Sequence, residues 1–314
     1  MTGTTRPAQP AARALLGAAS IAPMPVLVAL AHAGPVPTVV YRCGVALPVL
    51  GAFAFAESRR RGPRSLSNRA RAFLAGLLLA VDLVLFNHTI TDAGAGVSTV
   101  IGSLYVPIVA VLGWALLGER PSRRYLATLP IVIAGIVLAS GVIGGSGTGS
   151  HPGTGMAYGA AATIAYAAYL LILRNAASST SHIAGQVFDA TAGATAGALL
   201  FGLIFGGLQL AVSWQALGWL VLLALVVQVT GWLLITATLP RLPAALSSLL
   251  LLMQPAIALV LAGAVLRRWP TAVQLTGAAI ACVGVVLAAR SRPNSHTPAD
   301  ITESAADARS PVSA

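Results

Sequence analysis

Four ionisable residues lie where an apolar chain can least easily carry them. Asp82 sits in LLLAVDLVLF, Asp189 in GQVFDATAG, Arg42 in VVYRCGV and His88 in LFNHTI. A charge at mid-bilayer costs roughly 2.5–3.5 kcal/mol on insertion scales, so such groups face a cavity or a partner. For Asp82 two roles stand side by side: a proton or cation site, or a structural hydrogen bond to a neighbouring helix. His182, Gln186 and Asp189 recur at i, i+4 and i+7 on one helix face, which Gly193 and Gly197 continue. That stripe lines a cytoplasmic vestibule or bonds across a close helix pair. Arg42, a few residues into its apolar run, is expected to snorkel to the outer interface. Recognition of a substrate carboxylate is its sharper alternative. His88 titrates near neutral pH if it is free, although a lone histidine near an interface is more often hydrogen-bonded structure. Asp82, Asp189 and His88 are the candidates for ion coupling. Asn87-His88-Thr89 also fits the N-glycosylation pattern, a chance match at membrane depth.

Polar and aromatic stripes surround these charges. Tyr158, Tyr166 and Tyr169 share one face at helical spacing, and so do Gln228, Trp232 and Thr236. Ser247 and Gln254 lie seven apart on another, and Ser98, Gly102 and Tyr105 on a fourth. An interfacial aromatic belt would explain Tyr158 at a helix end. It suits Tyr166 and Trp232 less well. The cavity candidates are therefore Asn87, His88, Ser98, Tyr105, Tyr166, Tyr169, Gln228, Trp232, Ser247 and Gln254.

The elements that must position these residues follow from composition. The 314 residues are 57% hydrophobic and 9% charged, with mean hydropathy +0.84, whereas a soluble domain carries roughly 25% charge. That is a multi-span membrane protein. Ten spans are expected at 14–32, 37–56, 72–89, 95–117, 125–143, 155–173, 183–207, 215–237, 243–266 and 271–289, several interrupted by Gly or Pro, notably Pro23 and Pro25. Arginine supplies all the basic charge. With the N-terminus inside, 16 of 19 arginines fall in inner segments and tails, which places both termini in the cytoplasm of a cell-membrane protein. Arg267 and Arg268 run against that rule.

Five spans per half is an odd number, so the second half enters inverted, as in many secondary transporters. The expected fold is all-α, ten transmembrane helices as two inverted five-helix repeats. A cytoplasmic tail (1–13) precedes the first repeat (14–143). A Gly-rich linker (144–154) joins it to the second repeat (155–289), and a disordered tail (290–314) follows. The linker lacks the lysine of a phosphate-binding loop. Cys43 and Cys282 have no metal or disulfide spacing and read as small buried hydrophobes. No cofactor or metal is expected, and the scattered arginines give no nucleic-acid face.

The two halves echo one another most clearly over 92–140 and 242–288. Pro107 aligns with Pro255, Pro121 with Pro270, and Gly135 with Gly284. The first copy runs P-x(10)-GER, in which Glu119 beside Arg120 and Arg123 is expected to form an ion-pair network at a cytoplasmic helix end. With Arg42 early in the second span, LFNHTITDAGAG at 85–96 and ITATLPRLPAALSSLLLLMQP at 235–255, this arrangement resembles the EamA family of the drug/metabolite transporter superfamily. The resemblance covers about residues 14–289. It departs where Leu266-Arg267-Arg268 replaces the usual Gly-Glu, where Gln254 replaces an acid, and where Asn87-His88 replaces a tyrosine. It implies an aromatic-lined central cavity and alternating access around a midplane site. A small polar or amphipathic metabolite, such as an amino acid, would then be exported, by proton exchange or by facilitated diffusion. The expected partners are the bilayer, the substrate and protons, and a homodimer is left open. An intramembrane enzyme would need GxSxG, HExxH or clustered ligands, which the sequence lacks. A scaffold or sensor would need a large soluble module.

Overall fold

The computed structural model describes residues 8–102, 123–139, 150–177, 182–238 and 269–290, with short pieces between 104 and 115 and between 257 and 267. Pro107, Glu119, Arg120, Ser247, Gln254, Pro255 and Arg268 lie outside the described residues. The described residues are helical, with no strand among them.

Helix boundaries follow local chemistry. The first span is two helices, α1 (Ala8–Ile21) and α2 (Met24–Ala31), parted at Pro23. Pro25 stands in the first turn of α2, where its missing N–H costs nothing. α3 (Pro35–Arg61) begins on a proline and ends at Gly62, whose φ of 84° would strain any other residue. α4 (Leu66–Ala93) starts where Ser65 Oγ accepts from Asn68 N at 3.3 Å. α5 (Ala95–Gly102), α6 (Arg123–Ala139), α7 (Pro152–Ala177) and α8 (Ile183–Phe205) follow. α9 (Trp214–Leu223), capped by Ser213, runs through a π-helical stretch (Ala224–Gly231) into α10 (Trp232–Thr238). α11 (Ala272–Arg290) opens with a reciprocal capping box between Thr271 and Gln274.

α3, α4, the stretch Pro152–Ile172 of α7, α8 and Trp214–Ala237 are each long and apolar enough to cross a membrane, and Leu15–Ala31, Leu126–Ala139 and Ala272–Gly284 are shorter apolar segments. Two of the helices outrun the expected spans. α3 has 27 residues and α4 has 28, against roughly 20 needed for the hydrocarbon.

α4 packs along α7 and α8, and α3 packs on α8. α6 packs on α11, and α1 and α2 pack on the α9–α10 helix. Lipid gives apolar helices no drive to associate, so close packing must supply it. Gly76 lies against the Ala190 backbone and Gly193 against the Phe73 backbone, so a Cβ at either would overlap a carbonyl. Gly135 meets Ala281, Gly277 meets Ala139 and Gly284 meets Val132. The two glycines aligned from sequence, 135 and 284, thus lie in one helix crossing. The main core gathers Val39, Cys43, Leu79, Leu83, Tyr169, Ala194, Leu220 and Val227 from α3, α4, α7, α8 and the α9–π segment.

Candidate functional site

Arg42 does not snorkel. Its turn of α3 packs against α8 and the π segment, and the side chain is 2% exposed. Its Nε donates to Gln228 Oε1 at 2.9 Å and its Nη1 lies 3.3 Å from Met24 Sδ. Gln228 Nε2 in turn donates to Thr191 Oγ1 at 3.0 Å. The network ties α2, α3, α8 and the π segment together. Snorkelling fails because the N-terminal half of α3 is largely covered by protein, which encloses the guanidinium. π-helical stretches recur at functional sites. This one carries Gln228 at its middle and delivers Trp232 one turn later. One displaced carbonyl is retained, Leu225 O accepting from Thr230 Oγ1 at 2.9 Å.

Beside the network stands a four-ring cluster. Tyr105 meets Tyr166 edge-on at 5.3 Å between centroids, and Tyr166 stacks on Tyr169 at 5.7 Å. Trp232 lies edge-on to Tyr166 at 6.3 Å and to Tyr169 at 6.1 Å. Such geometries add about 0.5–1.5 kcal/mol per pair beyond burial. Asp82, 9% exposed, belongs to the same region. Its neighbours on α4, Leu79 and Leu83, share a core with Cys43 and Tyr169. Asp82 and Arg42 form no ion pair among the described residues. A described glutamine, an arginine, an acid and four aromatic rings, read from sequence on five separate stretches, thus converge.

Other candidates lie elsewhere. Ser98 is fully buried and bonds its own helix, Oγ to Ala95 O at 2.9 Å. Asn87 Nδ2 donates to Pro35 O at 3.1 Å, pinning the start of α3 to α4. His88 is half-buried with its ring 5.1 Å from Tyr158, near where Asp92 O accepts from His151 N at 3.1 Å.

Asp189 belongs to a second cluster at the arginine-rich end. Arg64 Nη1 lies 2.8 Å from its Oδ2 and Arg69 Nε 3.8 Å from the same oxygen. His182 Nε2 is 3.1 Å from Gly62 O. Glu57, not among the candidates read from sequence, accepts from Ile183 N and Gly185 N, each at 2.9 Å. A carboxylate there satisfies two orphan N–H groups and suits the helix dipole. Of the two roles open for the His182/Gln186/Asp189 stripe, helix-to-helix bonding describes His182 and Asp189. Arg64 was visible only as an orientation signal. Glu57 had one weak cue, its position four residues before Arg61, which pairs with it at 3.6 Å.

Five long apolar helices, with a charged and aromatic cluster buried among them, define a multi-pass membrane protein. A model of the EamA-like transporter family matches residues 11–141 and again 153–290. The chain belongs to the EamA-like transporter family, and is a membrane transporter of the drug/metabolite type that works on a small molecule across a bilayer. It is also similar to a solved structure described as "Crystal structure of protein", with TM-score 0.61 and 15% identity, over 90% of this chain and 96% of the other. That likeness shows the fold alone. No curated protein matches the chain.

Proposed function

We propose that the chain is a secondary transporter that exports a small polar or amphipathic metabolite, such as an amino acid, by alternating access. Its ten spans form two inverted repeats, 14–143 and 155–289, joined through 144–154. The packing supports this reading. The third span (α4) lies on the sixth (α7), and the eighth (α9–α10) lies on the first (α1–α2), while the second pairs with the seventh and the fifth with the tenth. That is the pattern of a two-fold axis lying in the membrane plane. The observation that carries the function is the buried Arg42–Gln228–Thr191 network beside Asp82 and the four rings. It joins elements of both repeats, so rocking one half against the other remakes the site.

The substrate site comprises Tyr105, Tyr166, Tyr169, Gln228 and Trp232, with Ser98, Asn87 and His88 bordering it and Ser247 and Gln254 completing it from the ninth span. Arg42 belongs to this site rather than to topology. Pro107, Glu119, Arg120 and Pro255 are scaffold positions. Asp82 is the leading group for proton coupling, because Asp189 already holds two arginines and His88 stands apart. The protein sits in the cytoplasmic membrane with both termini inside and is no enzyme. Flux in proteoliposomes across a metabolite panel, with and without a pH gradient, tests the reading. Substrate-dependent flux supports it. No flux of any compound from fully inserted protein overturns it.

A further inference from the structure

We propose that the turn between α3 and α4 holds a phosphate-type oxyanion on the open fork of Arg64, a ligand that fastens the arginine-rich end and is not itself transported. The argument starts from the atoms of one guanidinium. Arg64 Nη1 lies 2.8 Å from Asp189 Oδ2, and the Arg64 side chain is 6% exposed. Its Nε and Nη2 are buried and make no hydrogen bond among the described residues. Those two atoms form the side-on edge of the guanidinium, whose parallel N–H bonds match two oxygens of one oxyanion. Asp189 engages the third nitrogen and leaves that edge open. Two buried donors of a charged group are costly to leave without acceptors. Among the described residues the two acids at this end are committed elsewhere. Glu57 accepts from Ile183 N and Gly185 N, each at 2.9 Å, and pairs with Arg61 at 3.6 Å. Asp189 is shared with Arg69 at 3.8 Å.

The guanidinium is aimed at the start of α8. A Cβ at Gly185 would stand 2.6 Å from Arg64 Nη1 and 3.0 Å from its Cδ, so the group lies directly on that glycine. It therefore sits in the positive field at the N-terminus of a 23-residue helix. At the same end His182, whose Nε2 donates to Gly62 O at 3.1 Å, leaves Nδ1 buried without a hydrogen bond. Net charge favours an anion over water here. Residues 57–71 hold six arginines and a single acid, Glu57, and Asp189 adds only one more. Arg59 lies over the exposed Phe55 ring at 4.8 Å, as an arginine does at the headgroup level of a bilayer. An anionic phospholipid and free phosphate present the same P–O⁻ group, and the basic end attracts both. The fork is covered by protein, so the oxyanion enters as turn 62–65 lifts from α8.

The test uses full-length protein, purified in neutral detergent and stripped of lipid. Its melting temperature is titrated with dioleoylphosphatidylglycerol, with dioleoylglycerol as the phosphate-free lipid, with sodium phosphate, and with sodium chloride at matched ionic strength. The parent should show a saturable rise with phosphatidylglycerol or phosphate that dioleoylglycerol and chloride do not reproduce. A rise with phosphatidylglycerol alone assigns the site to a lipid headgroup, one with phosphate alone to the free ion, and one with both to the phosphate group whatever carries it. Arg64→Gln should abolish the rise. Arg64→Lys keeps a charge beside Asp189 without the fork, and carries the test where Arg64→Gln does not fold. Its half-saturating concentration should increase at least about tenfold, the worth of a charged hydrogen bond. Arg60→Gln, which removes an exposed arginine from the same end, should leave the rise unchanged. No rise in the parent leaves the fork to water and overturns the inference, whatever the variants do. A rise that persists in Arg64→Lys, or that falls as far in Arg60→Gln, is diffuse surface charge and overturns it too. The readout involves no flux, so the transporter reading stands or falls separately.

Discussion

Two buried arginine–aspartate sets occupy the same helix group and are built in opposite ways. At the arginine-rich end, Arg64 and Asp189 touch at 2.8 Å and Arg69 backs them at 3.8 Å. Deeper in the bundle, Arg42 bonds Gln228 at 2.9 Å and forms no ion pair with Asp82 among the described residues. The first set pairs its charges directly and is flanked by Glu57, which caps α8, although Arg64 Nε and Nη2 find no hydrogen bond among the described residues. In the second, Arg42 closes on neutral groups, the Gln228 carbonyl oxygen and the Met24 sulfur. A pair that neutralises itself is a fastening. A pair held apart by its neighbours is a site, since the interaction it forgoes is available to something else.

The comparison can be broken by substitution. Arg64→Ala leaves Asp189 buried without its main partner, which should destabilise the fold by about 3–5 kcal/mol. Denaturation of purified protein should show that loss, while flux per folded molecule stays near that of the parent. Arg42→Gln is expected to do the reverse. It should cut flux by roughly ten- to a hundredfold, the worth of one charged hydrogen bond, with little change in unfolding. Normal flux in that variant would reduce Arg42 to scaffold. Next in size, Glu57→Ala removes the α8 cap and should cost about 1 kcal/mol, seen as a modest fall in melting temperature. Smallest is Tyr41→Phe, which deletes the bond to Leu210 O at 2.7 Å on the loop after α8; roughly 0.5–1 kcal/mol of stability should go. A separate arm addresses coupling. If pH-driven flux survives Asp82→Asn intact, Asp82 moves no proton.

The sequence carried the apolar spans, and with them the membrane class, because about 20 apolar residues is a strong and local signal. It also carried the Tyr166/Tyr169 and Gln228/Trp232 faces, since helical spacing alone places those side chains together. What it hid were bonds between distant stretches. Nothing local says that Glu57 reaches Ile183, or that Gln228 holds Arg42, because such pairs are set by helix crossings rather than spacing. Arg42 shows the failure most clearly. A charge near a helix end normally escapes to the interface, and only the packing of α8 and the π segment against α3 removes that escape. The glycines were half legible. Gly193 and Gly197 suggested close approach, but the residues they meet, Gly76 and Phe73 for the first and Leu77 and Ala80 for the second, came from another helix.

The central claim is that one arginine serves the ligand and the other the fold. Ligand-induced shift of the melting temperature, measured for Arg42→Gln and Arg64→Gln beside the parent with the best transported compound, tests it most directly. Arg42→Gln should melt near the parent and lose the shift, whereas Arg64→Gln should melt lower and keep it. A retained shift in Arg42→Gln, or its loss in Arg64→Gln alone, would contradict the account.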